Sequence, residues 1–238
     1  MLTIQAEDAR AVALTAAIQG GDVDALRRQL RDHPGIAAAQ IVDGHGVCRT
    51  LLHVAADWPG HFPNGAQTVA VLVVAGADVN ARVHPGPRGS AETALHWAAS
   101  SDDVEVLDAL LDGGADIEAS GAIFTGGAPM SDAVIFAQWR AARRLLERGA
   151  KTTISQAAAL GLLDRVRDFC SSDPPPEPHD ITNALWHACR GGQQAVAEFL
   201  LDRGADLHWV GHDGKTPLDV AKESGNAALI EWLRTRRS

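Results

Sequence analysis

Thr50-Leu51-Leu52-His53-Val54-Ala55-Ala56 returns as Thr93-Ala94-Leu95-His96-Trp97-Ala98-Ala99, weakens to Asn183-Ala184-Leu185-Trp186-His187-Ala188-Cys189, and is restored as Thr216-Pro217-Leu218-Asp219-Val220-Ala221. A second element keeps step with the first. Val73-Val74-Ala75-Gly76-Ala77-Asp78-Val79-Asn80, Leu110-Leu111-Asp112-Gly113-Gly114-Ala115-Asp116-Ile117, Leu145-Leu146-Glu147-Arg148-Gly149-Ala150 and Leu200-Leu201-Asp202-Arg203-Gly204-Ala205-Asp206-Leu207 are variants of one phrase. The step from Asn183 to Thr216 is 33 residues, and that from Thr50 to Thr93 is 43, which implies an insertion. Self-similarity at a fixed period is the mark of a stacked-repeat architecture.

Physical chemistry gives each part of the phrase a job. Threonine ahead of a helix accepts otherwise orphaned amides, and proline at the first helical position loses no hydrogen bond. The Ala-Ala pair allows close packing, and the Leu-Leu pair supplies core. Gly114, Gly149 and Gly204 fall where a helix stops in a left-handed turn. Each unit can bury its apolar face only against the next, which makes a solenoid.

These motifs resemble the ankyrin repeat, with its Thr-Pro-Leu-His helix start and Gly-Ala-Asp end, over roughly residues 10–238. The resemblance implies an all-α solenoid of about seven helix-turn-helix units with short β-hairpin fingers, forming a single domain over 1–238. Units are expected at about 10–43, 45–80, 89–117, 121–150, 152–170, 181–207 and 211–238, the first and last acting as caps. It also implies that His53 and His96 bond the backbone of the neighbouring finger and are structural.

Composition narrows the function. The chain has 238 residues, 46% of them hydrophobic and 21% charged, and a net charge of -9, which argues against a phosphate-binding surface for nucleic acid. The basic run Arg234-Thr235-Arg236-Arg237 suits the negative end of a last helix. Cys48, Cys170 and Cys189 have neither disulfide nor zinc spacing, which fits a reducing compartment. No signal peptide and no apolar run long enough to span a membrane is visible. The expectation is a cytoplasmic protein without metal, cofactor, nucleic acid or membrane as partner.

The departures from the pattern point to candidate sites. About five extra residues, Pro59-Gly60-His61-Phe62-Pro63, follow Asp57-Trp58 and form an ordered loop able to wall a ligand site. A polyproline stretch, Ser171 to Pro178, reads as a spacer. The residue after the motif histidine aligns as Val54, Trp97, Asp132, Gln156, His187 and Val220. Asp132, Gln156 and His187 break an apolar column there. The positions after the Ala-Ala pair align as Asp57-Trp58, Ser100-Ser101, Ile135-Phe136, Ala159-Leu160 and Arg190-Gly191; the resemblance places them on the concave face. Ile135, Phe136 and Leu160 are then expected to form an exposed apolar patch flanked by Trp58, Trp97, Asp132, His187 and Arg190, a mark of interaction.

Of ten histidines, His45, His84, His179, His208 and His212 lie in turns or fingers; His61 and His187 remain for acid–base work. Asp132 and His187 stand two repeats apart, roughly 16–20 Å at 8–10 Å per packed helix, too far for a direct hydrogen bond. Asp102-Asp103 opens a helix and suits its dipole. No nucleophile elbow, P-loop or dinucleotide fingerprint is present. The expected function is recognition of a protein partner through the concave face. The alternative is a cofactor-free acid–base enzyme (cyclase, dehydratase or isomerase), or a small-molecule receptor. Asp132, His187 or His61 would then be the catalytic candidates.

Overall fold

The computed structural model describes residues 2–85, 89–211 and 213–236. His212 and Arg237, given roles above, lie outside the described residues. The described chain carries fourteen α-helices in seven pairs and falls into two compact units, residues 1–150 and 151–238.

The first unit opens with β1 (Thr3–Gln5), followed by α1 (Ala9–Gly20) and α2 (Val23–Asp32). Next come β2 (Gln40–Val42) and β3 (Cys48–Thr50). The three strands form a small sheet in which β1 pairs parallel to β2, with Ile4 opposite Ile41, and β2 pairs antiparallel to β3. β1 precedes every repeat motif and was not expected. Ile4 and Ile41 are both buried, so the strand closes the end of the first core. Beyond this sheet the fingers carry isolated bridges, Cys48 with His84 and Arg82 with Thr93, in place of regular hairpin ladders.

The repeats proper follow as α3 (Leu51–Ala55) with α4 (Gly65–Val74), α5 (Ala94–Ser100) with α6 (Val104–Asp112), and α7 (Pro129–Ile135) with α8 (Trp139–Glu147). The predicted caps work as expected. The Thr50 hydroxyl accepts from the His53 amide, and Pro129 takes the first turn of α7. The inserted loop is pinned, because the Asp103 carboxylate accepts the His61 amide at 2.6 Å while capping α6 through the Val106 amide at 3.2 Å. Asp102 accepts the Ala141 amide at 2.7 Å, tying α8 to the start of α6. Both aspartates are therefore scaffold.

The second unit holds α9 (Ile154–Ala159), α10 (Leu163–Cys170), α11 (Pro178–Arg190), α12 (Gln194–Leu201), α13 (Pro217–Ser224) and α14 (Ala227–Arg236). Its core gathers Ala157, Ala158, Val166, Leu185, Leu200 and Leu229. α11 begins three residues ahead of the expected unit. Pro178 occupies its first turn, and Glu177 and Asp180 form a reciprocal cap, so the end of the proline stretch is a helix start and not a spacer. A Cβ at Gly191 would overlap the Ala159 carbonyl, and the absence of one lets α9 and α11 close on each other.

Candidate functional site

His53 and His96 set the frame. In both, Nδ1 accepts the amide of the helix-capping threonine, from Thr50 at 3.3 Å and from Thr93 at 3.1 Å. Nε2 is then the protonated nitrogen. It donates to the carbonyl of the next finger, Glu92 O for His53 at 3.1 Å and Gly127 O for His96 at 3.2 Å. Burial drives both imidazoles down to a pKa of about 4, so they are neutral bridges.

The carbonyl that His53 fixes belongs to Glu92, whose side chain turns the other way. Residue 92 stands just ahead of the cap, where other repeats carry Arg49 and Lys215 in surface ion pairs with Asp57 and Glu223. Glu92 is buried. Its Oε2 accepts the Trp97 indole N–H at 3.2 Å, and the Ser90 hydroxyl reaches it at 3.5 Å. Trp97 is held by an edge contact with His53, with ring centroids 4.9 Å apart. A Cβ at Gly121 would overlap the Ala91 carbonyl, so this glycine is what lets the following finger, with Ile123, lie against residues 91 and 92.

Glu92 forms part of a cleft of about 220 Å³ running along α5, lined also by Asp57, Trp58, Trp97, Ser100, Ser101, Ile123 and Phe136. Its mouth is aromatic. Trp58 is 81% exposed and Phe136 41%, and Phe124, 53% exposed, packs on Phe136 with centroids 5.9 Å apart. The rim is rigid: the Ser100 carbonyl accepts the Gln138 side chain at 2.9 Å, and the Ser101 carbonyl accepts His61 Nε2 at 3.1 Å. Asp57 is neutralised by Arg49 at 2.7 Å.

Asp132 lies on α7 one turn before Phe136, on the same face. It was expected on the surface and is fully buried. Neither carboxyl oxygen meets a hydrogen-bond donor, and its polar neighbour is the Glu92 carboxyl. Two carboxylates cannot hydrogen-bond each other, so the contact requires a proton. Burial, reinforced by the Glu92 charge, raises the Asp132 pKa to about 8. Burial also raises Glu92, but hydrogen bonds from Trp97, the Ile123 amide and Asp132 oppose it. Burial and the Glu92 charge thus favour the protonated form of Asp132 beside the Glu92 carboxyl.

The sequence-derived candidates divide accordingly. In the first unit Asp57, Trp58, Trp97 and Phe136 line one cleft; Ile135 is half-buried beside it, and Asp132 is sealed beneath it. The His61 ring is committed to the rim. In the second unit Leu160 is buried, not part of an exposed patch. Gln156 is a cap: Thr153 opens α9, which puts Gln156 in the place of the motif histidine, where its Oε1 accepts the Thr153 amide at 2.9 Å. The column after the histidine thus reads Ala157 in that repeat, and Leu160 aligns with Asp57, not with Trp58. His187 and Arg190 both pack on Trp186, with ring centroids 5.1 Å apart for His187 and the guanidinium 5.5 Å from the ring centroid. Cys189 is buried and its thiol is pushed up to about 12, which makes it inert. Glu92 was missed. The one hint was an acidic residue ahead of a threonine cap, where Arg49 and Lys215 precede two of the others.

A profile described as ankyrin repeats in three copies matches residues 52–156 and 154–237. The chain belongs to the ankyrin-repeat family. Its fold is shared by the human ASB11 ankyrin repeat domain, with a TM-score of 0.55 and 20% identity over 94% of this chain and 96% of that one. The E3 ubiquitin-protein ligase Ufd4 of Drosophila melanogaster is 34% identical over 73 residues, which is 31% of this chain and 3% of the ligase. Ankyrin repeats in general serve as protein–protein interaction modules. Among the described residues, no helix is long and apolar enough to cross a membrane.

Proposed function

We propose that this ankyrin-repeat chain is a binding protein that receives a polypeptide across the face of its first unit bearing Trp58, Phe124 and Phe136, the concave face of the family resemblance. The observation that carries the reading is the grouping of these exposed aromatics around a preformed, rigid-rimmed cleft; large exposed apolar patches mark interaction sites, and aromatic anchors supply most of the energy of such contacts. Family usage supports it. The acid–base alternative gains nothing from the geometry within the first unit, because Asp132 is sealed from the cleft and His61 is spent on the Ser101 carbonyl.

A photo-crosslinking residue placed at Phe136 or Trp58, against one at Val74 on α4, tests this in cells that express the chain. The expected result is a discrete polypeptide adduct from positions 136 and 58 and none from 74. The same polypeptide, once purified, should lose binding to the W58A/F136A variant. Absence of any adduct at 58 and 136, or identical adducts from all three positions, contradicts the reading.

A further inference from the structure

Glu92 is a buried carboxylate facing a cleft, and no lysine, arginine or histidine pairs with it or with Asp132 among the described residues. Arg49 is already engaged with Asp57 of the cleft wall. A buried anion without a cation is costly, and such charges are normally paired. Burial raises the Glu92 pKa, and two features oppose that rise. The Trp97 indole N–H holds Oε2 at 3.2 Å, and buried Asp132, with no donor of its own, supplies a proton to the pair. The same cleft is lined by Trp58 and Phe136, and aromatic ring faces attract cations. An acidic floor under aromatic walls, in a chain of net charge -9, is complementary to one kind of group.

We propose that the cleft beside α5 is a recognition site for an arginine side chain of a protein partner, with the guanidinium lying against Trp58 and Phe136 and pairing with Glu92. Guanidinium fits better than ammonium. It is planar, stacks on aromatic rings, loses less hydration on burial, and offers a two-pronged fork to a carboxylate. Asp132 is a positioning residue here: it does not touch the ligand but holds the Glu92 carboxylate through its proton. The inference rests on the polypeptide-binding reading above and specifies which side chain of the partner enters.

The test uses the full chain labelled with nitrogen-15 and N-acetyl-arginine amide as probe, with the indole N–H resonances of Trp97 and Trp58 as reporters. Saturable shifts of both indoles are expected with the arginine probe. The N-acetyl-citrulline amide, which has the same shape without the charge, should shift neither, and N-acetyl-lysine amide should bind at least tenfold more weakly. E92Q should weaken the arginine probe at least tenfold while the remaining spectrum superimposes on that of the wild type. Should E92Q fail to fold, W58A alters an exposed ring and is expected to cost several-fold in affinity. No saturable shift, equal response to citrulline, or indifference to both variants overturns the proposal. Arg88 lies outside the described residues; arginine binding that appears only in R88Q overturns it too, since the chain would then fill its own cleft. A polypeptide adduct without arginine binding leaves the interaction reading standing and removes this site. Arginine binding without any polypeptide adduct removes the partner as its source.

Discussion

His96 and Asp132 are both fully buried polar residues of the first unit, one repeat apart, and the fold treats them in opposite ways. Every polar atom of His96 has its partner within the chain: the Thr93 amide on one nitrogen and the Gly127 carbonyl on the other. Asp132 has no donor and is left against another carboxyl. The first arrangement repeats at His53 and joins finger to finger, so it belongs to the scaffold. The second lies beneath an aromatic-mouthed cleft. A buried polar group that the fold satisfies holds the structure together, whereas one it leaves dependent on a proton points to a function beyond stability.

Deleting each member of this comparison has a different consequence. H96A leaves the Thr93 amide and the Gly127 carbonyl without their partner in a dry interior and opens a cavity. It should lower stability by roughly 3 kcal/mol in urea unfolding at pH 7. A loss under 1 kcal/mol would make His96 dispensable and erase the contrast.

The second consequence is a difference in sign with pH. His53 and His96 have folded pKa values depressed to about 4 from 6.5, so the unfolded chain binds more protons between these limits. Stability is therefore lost as pH falls from 6.5 toward 4. Asp132 is raised from 3.8 to about 8, so the folded chain binds more protons between those limits. Its contribution is complete below pH 3.8 and is lost as pH rises through 8. The two slopes oppose each other. D132N keeps the shape, needs no proton and should remove the downward slope between pH 3.8 and 8 while leaving the histidine slope in place. Full linkage would amount to several kcal/mol, but solvent relaxation around the pair reduces it. The variant should gain about 2 kcal/mol over the wild type at pH 8 and little at pH 5, read by thermal or urea unfolding across pH. Equal gains at both values would show that Asp132 carries no proton in the folded state.

Much of the scaffold was legible in the residues. Threonine caps, Pro at the first helical turn, the Ala-Ala and Leu-Leu pairs and the turn glycines act locally, so their meaning survives without coordinates. That Asp57, Trp58 and Phe136, directly after the Ala-Ala positions, share one face was legible for the same reason, and they line the candidate cleft. Glu92 was not, because its side chain is held by Trp97 of the helix that follows it and by the Ile123 amide of the next finger. Nor was the burial of Asp132, which is hidden by the same glutamate. β1 escaped because its partner, β2, lies more than thirty residues on and neither belongs to a repeat motif. Gln156 was misread by one position. A glutamine can replace histidine in the reciprocal cap with Thr153, and only the start of α9 fixes the register.

The proton on Asp132 can be observed directly by infrared difference spectroscopy between the wild type and D132N at pH 7. A protonated carboxyl has a C=O stretch well separated from the carboxylate bands. One such band is expected in the wild type, absent from D132N and titrating away near pH 8. A wild-type spectrum at pH 7 with every buried carboxyl ionised, and no band lost in D132N, would contradict it.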